Sequence, residues 1–281
     1  MRVCHTIQPV FDDPNLVAFG GLPAVMRLAE QAGLHELVEQ HLTLPGTAGA
    51  NAAIKVSALI AGMVVGADSI SDMDVLRHGG MGRVFDGLRA ATTLGTHLRA
   101  YRFGHVRQLD AVASRLLIKL AGLSPILDGA DQLTFVDVDD TIRETHGYRK
   151  QGAAYGYSRV KGLNALVATI STPTSAPVIA ATRLRKGNVS SARGAARLIG
   201  DTLATLRRAT TPSLVIVRAD SAYFNHATIA AIAVGGARFS ITARMNTAVT
   251  RAITTINDTD WTTIRYPQAI YDEAQQVWIS D

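Results

Sequence analysis

Over the first 125 or so residues the apolar positions recur at helical spacing. The clearest run is Val106, Leu109, Val112, Ala113, Leu116, Leu117 and Leu120, with Arg107, Gln108, Asp110, Ser114, Arg115 and Lys119 on the opposite face. Weaker patterns predict helices over 23–32, 34–41, 52–67 and 71–78. Pro23 sits in the first turn, Gly33 serves as a stop, and Ser71 is a candidate cap.

After Asp128-Gly129 the pattern changes to short β-rich runs. Strands are predicted over 133–138, 162–170 and 177–184, the last two separated by the turn-like Ser171-Thr172-Pro173-Thr174-Ser175. A helix over 190–208 follows, then a strand over 213–218, a helix over 225–234 and a strand over 238–242. Three successive strands, then helix, strand, helix, strand, is the order of a ribonuclease-H-like α/β sheet. A central place in that sheet explains why Leu214-Val215-Ile216-Val217 is continuously apolar. Beyond Arg244 the chain becomes threonine-rich, with short strands expected at 261–266 and 273–279. Ending inside the last of these, the sequence is expected to be C-terminally truncated.

Composition narrows the class. With 47% hydrophobic and 18% charged residues among 281, the chain can bury a substantial core, and disorder is excluded. A net charge of +5, carried mostly by arginine, suits an anionic partner, though an arginine-rich composition can have other origins. The single cysteine, Cys4, excludes an internal disulfide and a cysteine-based zinc site. The longest apolar stretch, 54–66, contains Lys55 and Ser57 and falls short of the roughly 18 residues of a membrane helix. A soluble, cytoplasmic, nucleoid-associated protein is expected, with no membrane partner.

Two strand ends carry acids: Asp137-Val138-Asp139-Asp140-Thr141 after the first predicted strand, and Arg218-Ala219-Asp220-Ser221 after the fourth. In a ribonuclease-H-like sheet those strands are neighbours. Aspartates just past strands are commonly turn residues. Three within four residues, with no turn glycine among them, instead repel one another unless a cation is present. Hard divalent cations select carboxylate oxygens, and a pair of ions about 4 Å apart serves phosphoryl transfer. If Phe135 faces one side, Asp137 and Asp139 point the same way and Asp140 points opposite.

The segments 135–141, Thr145-His146-Gly147, Gly152-Ala153-Ala154-Tyr155-Gly156-Tyr157 and Val217-Arg218-Ala219-Asp220-Ser221-Ala222-Tyr223-Phe224 together resemble the group 1 DDE transposases of bacterial insertion sequences. The resemblance is close over 133–242. It implies metal-dependent cleavage at the ends of an insertion sequence and strand transfer into target DNA. Two Mg²⁺ (or Mn²⁺) ions are expected in the intact enzyme, with double-stranded DNA, both terminal inverted repeats and target, as partner and a homodimer in the DNA complex. The first catalytic acid falls at Asp139, ahead of Asp137 and Asp140, and the second at Asp220, with Asp139 and Asp220 as metal ligands. A third acid, a glutamate on a later helix, has no counterpart here, since Glu273 lies in Tyr271-Asp272-Glu273 at an expected strand edge.

The expected division is a helical region for DNA binding or dimerisation at 1–128, the catalytic core at 129–244 and the start of an inserted β region at 245–281. Arg143, Arg149, Lys150, Arg159 and Lys161, interleaved with tyrosines and glycines, are candidates for tracking a phosphate backbone. Arg99, Arg102, His105 and Arg107 are candidates for reading terminal repeats, whereas Arg183, Arg185 and Lys186 look like ordinary edge charges.

Two other readings compete. Asp137-x-Asp139-x-Thr141 also fits the haloacid-dehalogenase-type phosphatases, in which Asp137 would attack phosphate, although the residues around Asp220 lack the paired acid of that pattern. The absent third acid also suits a non-catalytic DNA-binding inhibitor of transposition.

Overall fold

The computed structural model of the chain describes residues 13–146, 150–262 and 268–279. It forms two compact units, one ending at Ile241 and the other beginning at Thr242.

The first unit begins with helices α1 (Leu22–Gln31), α2 (Leu34–His41), α3 (Gly46–Gly49), α4 (Ala52–Val64), α5 (Ala91–Arg99) and α6 (Phe103–Leu123). Gly33 separates α1 from α2 in the left-handed region, φ +78°, where a side chain would be strained. The segment 71–78, expected to be α-helical, is a 3-10 turn over Ser71–Arg77. The Asp72 carboxylate accepts from the backbone N–H groups of Asp68 and Ser69, so a side chain competes for the local backbone and Ser71 caps nothing. Helix α5 has no sequence counterpart, because its threonines and Gly95 are poor helix formers. Burial of Leu94 and His97 holds it instead.

Helix α6 joins the two halves of this unit, packing on α2, on the later helix α7 (Ala195–Ala209) and on the edge strand β4 (Val178–Lys186). It contributes Val112 to the helical core and Leu117 to the core under the sheet.

The remaining strands of the main sheet are β1 (Leu133–Glu144), β2 (Ala154–Tyr155), β3 (Lys161–Ser171), β5 (Leu214–Ala219) and β6 (Arg238–Ile241). The order runs β2-β3-β1-β5-β6, with β4 also on β3. β1, β3 and β4 form an antiparallel meander, and β5 and β6 add in parallel. With α7 before β5 and α8 (His226–Val234) before β6, this is the ribonuclease-H-like mixed α/β sheet expected from the sequence.

Period-two alternation sorts the strands into two faces. Val136, Val138, Leu166, Ala168, Ile170, Val215 and Val217 are buried with Leu198, Ile199, Leu203 and Leu206 of α7 and Ile232 of α8. Phe135, Asp137, Asp139, Val167, Ile216 and Arg218 lie on the other face, which is half-buried to exposed. Gly187, just past β4, is pinned by backbone: a Cβ there would sit 2.0 Å from the Gly162 carbonyl oxygen and 2.5 Å from that of Ala154.

In the second unit, α9 (Thr247–Thr254) is capped by the Asn246 side chain, which accepts from Ala248 and Val249. The strands β7 (Ile270–Asp272) and β8 (Val277–Ile279) form a hairpin in which Tyr271 and Trp278 meet with ring centroids 5.3 Å apart. Of the strand expected at 261–266, Trp261 and Thr262 are irregular and the rest lies outside the described residues.

Leu203 is fully buried between α7 and the sheet. Truncation in Leu203→Ala is expected to cost about 2–5 kcal/mol. In a urea titration this lowers the midpoint with an unchanged slope, and an unshifted midpoint would show that the core collapses around the gap.

Candidate functional site

Three acids stand on β1, and the strand does not stop before them. The sequence places them after a strand ending near 138, whereas β1 continues to Glu144. No glycine or proline interrupts the chain before Gly147, and β3 pairs with β1 all the way to Glu144↔Gly162. Asp137, Asp139 and Asp140 are therefore strand residues, held by a ladder rather than by a turn.

The parallel register with β5 runs from Leu133↔Leu214 to Val138↔Ala219. Asp139 and Asp220 each follow the last pair of this register, and both are exposed; Asp139 is on the face that carries Asp137 and Arg218. Adjacent strands lie about 4.8 Å apart, a separation at which two carboxylates can share one cation. Beyond Ala219 the chain turns sharply. Asp220 accepts from Ala222 N–H at 2.9 Å, capping the 3-10 turn Ser221–Tyr223. Asp139 accepts from the Asp140 N–H at 2.7 Å.

Asp137 is occupied differently. Both its oxygens accept from Arg218, at 2.6 and 2.7 Å, and the guanidinium lies 4.1 Å over the Phe135 ring. The hydrogen bonds to Asp137 hold the Arg218 guanidinium above its ordinary pKa. Among the described residues no three His, Cys, Asp or Glu side chains form a metal cage. Asp139 and Asp220 carry exposed carboxylates, whose oxygens are the donor type that suits a hard divalent cation.

Asp140, on the buried face, is a hub. It accepts from Tyr223 Oη at 2.9 Å, from Arg185 at 3.2 Å and from the Asn164 amide. Arg185 in turn holds the Asn164 side-chain oxygen and the backbone carbonyl of Ser191 at 2.9 Å. Burial pushes the Asp140 carboxyl up, but the hydrogen bonds from Asn164, Ser191 and Tyr223 and the charge of Arg185 outweigh it, leaving the net shift downward. Burial, then the bond to Asp140, pushes the Tyr223 hydroxyl far up, so it remains a donor.

The hub ties β1, β3 and β4 to the turn that follows Asp220. Sequence reasoning missed it, taking Arg185 for an edge charge. The available signal was Asn164, a side-chain amide in a largely apolar run, together with the register Asn164↔Arg185 that only pairing reveals.

The basic candidates separate. Arg143 lies on the Asp139 face of β1, and Lys161 opens β3 on the same face. Lys150 and Arg159 are exposed in the connection between β1 and β3, Arg159 with a left-handed φ of 57° that is costly for a non-glycine residue. Arg149 lies outside the described residues. In the helical half, the backbone N–H of Arg102 bonds His105 Nδ1 at 3.1 Å, and Arg107 pairs with Asp110 at 2.8 Å. Both are engaged in local structure.

The family described as Transposase DDE domain group 1 matches residues 4–278. Nothing among curated proteins matches the chain. Among solved structures, the Mos1 transposase paired-end complex with left transposon end is similar at 9% identity and a TM-score of 0.26, over 72% of this chain and 70% of that one. The fold assignment rests on the strand order, not on that likeness.

Asp140→Asn removes the charge that faces Arg185 and is expected to cost on the order of 3 kcal/mol at neutral pH. Because folding lowers the Asp140 pKa, its contribution is present above the unfolded value near 4 and disappears as pH falls through the folded value. Urea titrations in chelator should show wild type and variant converging below about pH 4. A gap that stays constant from pH 7 downward would mean that Asp140 is not the ionised hub.

Proposed function

The chain belongs to the group 1 DDE transposases, and we propose that Asp139 and Asp220 hold the divalent metal with which it cuts and joins DNA. The reading is supported by the parallel register of β1 and β5, whose last pair, Val138↔Ala219, comes immediately before Asp139 and Asp220. Bound Mg²⁺ would supply Lewis-acid charge neutralisation at the reacting phosphodiester. The chain's own part is to position: β1 and β5 fix the carboxylates, and the Asp220 cap fixes the turn that carries the second.

Two in-line displacements at phosphorus make up the reaction. Water first cleaves the phosphodiester at the element's end, releasing a 3′-hydroxyl. That hydroxyl then attacks a target phosphodiester, forming one P–O bond as another breaks. Arg143 and Lys161 on the Asp139 face, with the exposed Lys150 and Arg159 in the connection between β1 and β3, suit the phosphate backbone of double-stranded DNA, as does the net positive charge. The sole glutamate after Asp220, Glu273, is in the turn joining β7 and β8 rather than on a helix. That favours a second reading, in which the chain binds DNA without cutting it.

A phosphatase of the haloacid-dehalogenase type is disfavoured. Its nucleophile would be Asp137, whose two oxygens are both engaged by Arg218.

Incubating the chain with a duplex that carries the repeats flanking its gene should give Mg²⁺-dependent nicks that chelator abolishes. Asp139→Asn or Asp220→Asn should lower the rate at least about a hundredfold, the scale set by losing one preorganised charge-stabilising group. Tight binding with no nicking in either Mg²⁺ or Mn²⁺ would instead establish the binding-only reading.

A further inference from the structure

We propose that the groove between the first turn of α6, the end of β4 and the loop into α7 is a second DNA track, taking the phosphate backbone of duplex that leaves Asp139 and Asp220. The inference rests on the DNA-processing role proposed above and extends it to a surface on which the sequence showed only edge charges.

The groove encloses about 750 Å³, and five cations line it, Arg107, Arg183, Arg185, Lys186 and Arg193, with no acidic residue among the lining. Three of these are neutralised by carboxylates: Arg107 by Asp110 at 2.8 Å, Arg183 by Asp201 at 2.6 Å and Arg185 by Asp140 at 3.2 Å. Lys186 and Arg193 are different. Both are exposed, and neither side chain has an ion-pair or hydrogen-bond partner among the described residues.

Helix α7, 15 residues long, begins at this groove. Gly194 is its N-cap and no side chain caps it, so its first-turn N–H groups add partial positive charge. The wall is apolar: Phe103 is 83% exposed, Leu184 62% and Val106 44%. A lone anion makes no use of such a wall, whereas the deoxyribose edges of a duplex backbone pack against it.

The strand register gives the groove its direction. Arg143, Leu163 and Lys186 form one row across β1, β3 and β4, on the face that carries Asp139. From Asp139 to Lys186 is four residues along and two strands across, about 16 Å in all. That is about half a turn of a duplex whose repeat is roughly 34 Å. A duplex crossing the acids therefore reaches Lys186 at the edge of β4 after passing Arg143, and turns round that edge to reach Arg193, whose carbonyl is held by Arg185 on the α7 side of the sheet.

Fluorescence anisotropy of a labelled duplex, titrated with full-length chain at several salt concentrations, tests this. Each phosphate contact contributes about 0.9 to the slope of log K against log salt, so the Lys186→Ala/Arg193→Ala variant should lose about 2 from the slope. The charge-matched control Arg27→Ala/Arg77→Ala should keep the wild-type slope, and both variants should give wild-type far-UV circular dichroism. An unchanged slope in the groove variant overturns the track while leaving the catalytic reading standing. Absence of salt-dependent DNA binding by wild type overturns both. Displacement of DNA by inorganic phosphate at matched ionic strength would make the groove a site for a lone anion and also overturn the track.

Discussion

Everything at the candidate site depends on how β1 and β5 pair. Their parallel ladder from Leu133↔Leu214 to Val138↔Ala219 sets which residues share a row and which share a face. The valines of both strands go under α7, and the acids go to the opposite side. Burial of the valines is what makes the register energetically specific. The acids contribute nothing to that specificity, and like charges at the ends of neighbouring strands oppose it when no cation is present. The hydrophobic core therefore enforces a placement that the polar face alone would resist.

Electrostatic support comes from both sides of the sheet. On the acid face, Arg218 neutralises Asp137, while Asp139 and Asp220 remain exposed. On the buried face, Asp140 gathers Tyr223, Arg185 and Asn164, joining strand and turn through a nearly enclosed charge. Adjacent residues of one sequence motif thus do unrelated jobs. Asp139 faces solvent and is available to a ligand, while Asp140 has its donors built in.

Much of the sheet was legible from the chain. Strands β1, β3, β4, β5 and β6 and helices α7 and α8 all follow from apolar runs punctuated by turn residues, because burial on one face leaves a periodic trace. The opposed faces of Asp139 and Asp140 followed from alternation alone. What escaped were features set by tertiary partners. The extension of β1 to Glu144 depends on β3 supplying a ladder, the Asp140 hub depends on cross-strand register, and α5 survives through burial against its own propensity. The cations of β4 could not be ranked either, since Arg185 and Lys186 are neighbours in sequence yet face opposite sides of the sheet.

The alternation along β1 also governs which changes of length the gene can absorb. Inserting or deleting one residue between Leu133 and Asp139 would exchange the two sides of the strand, sending the aspartates under α7 and the valines into water. Point replacements there are graded in effect, but a one-codon shift is all-or-none. Residues 157–160, between β2 and β3, carry no such parity, so natural variants of this protein should concentrate their length differences there.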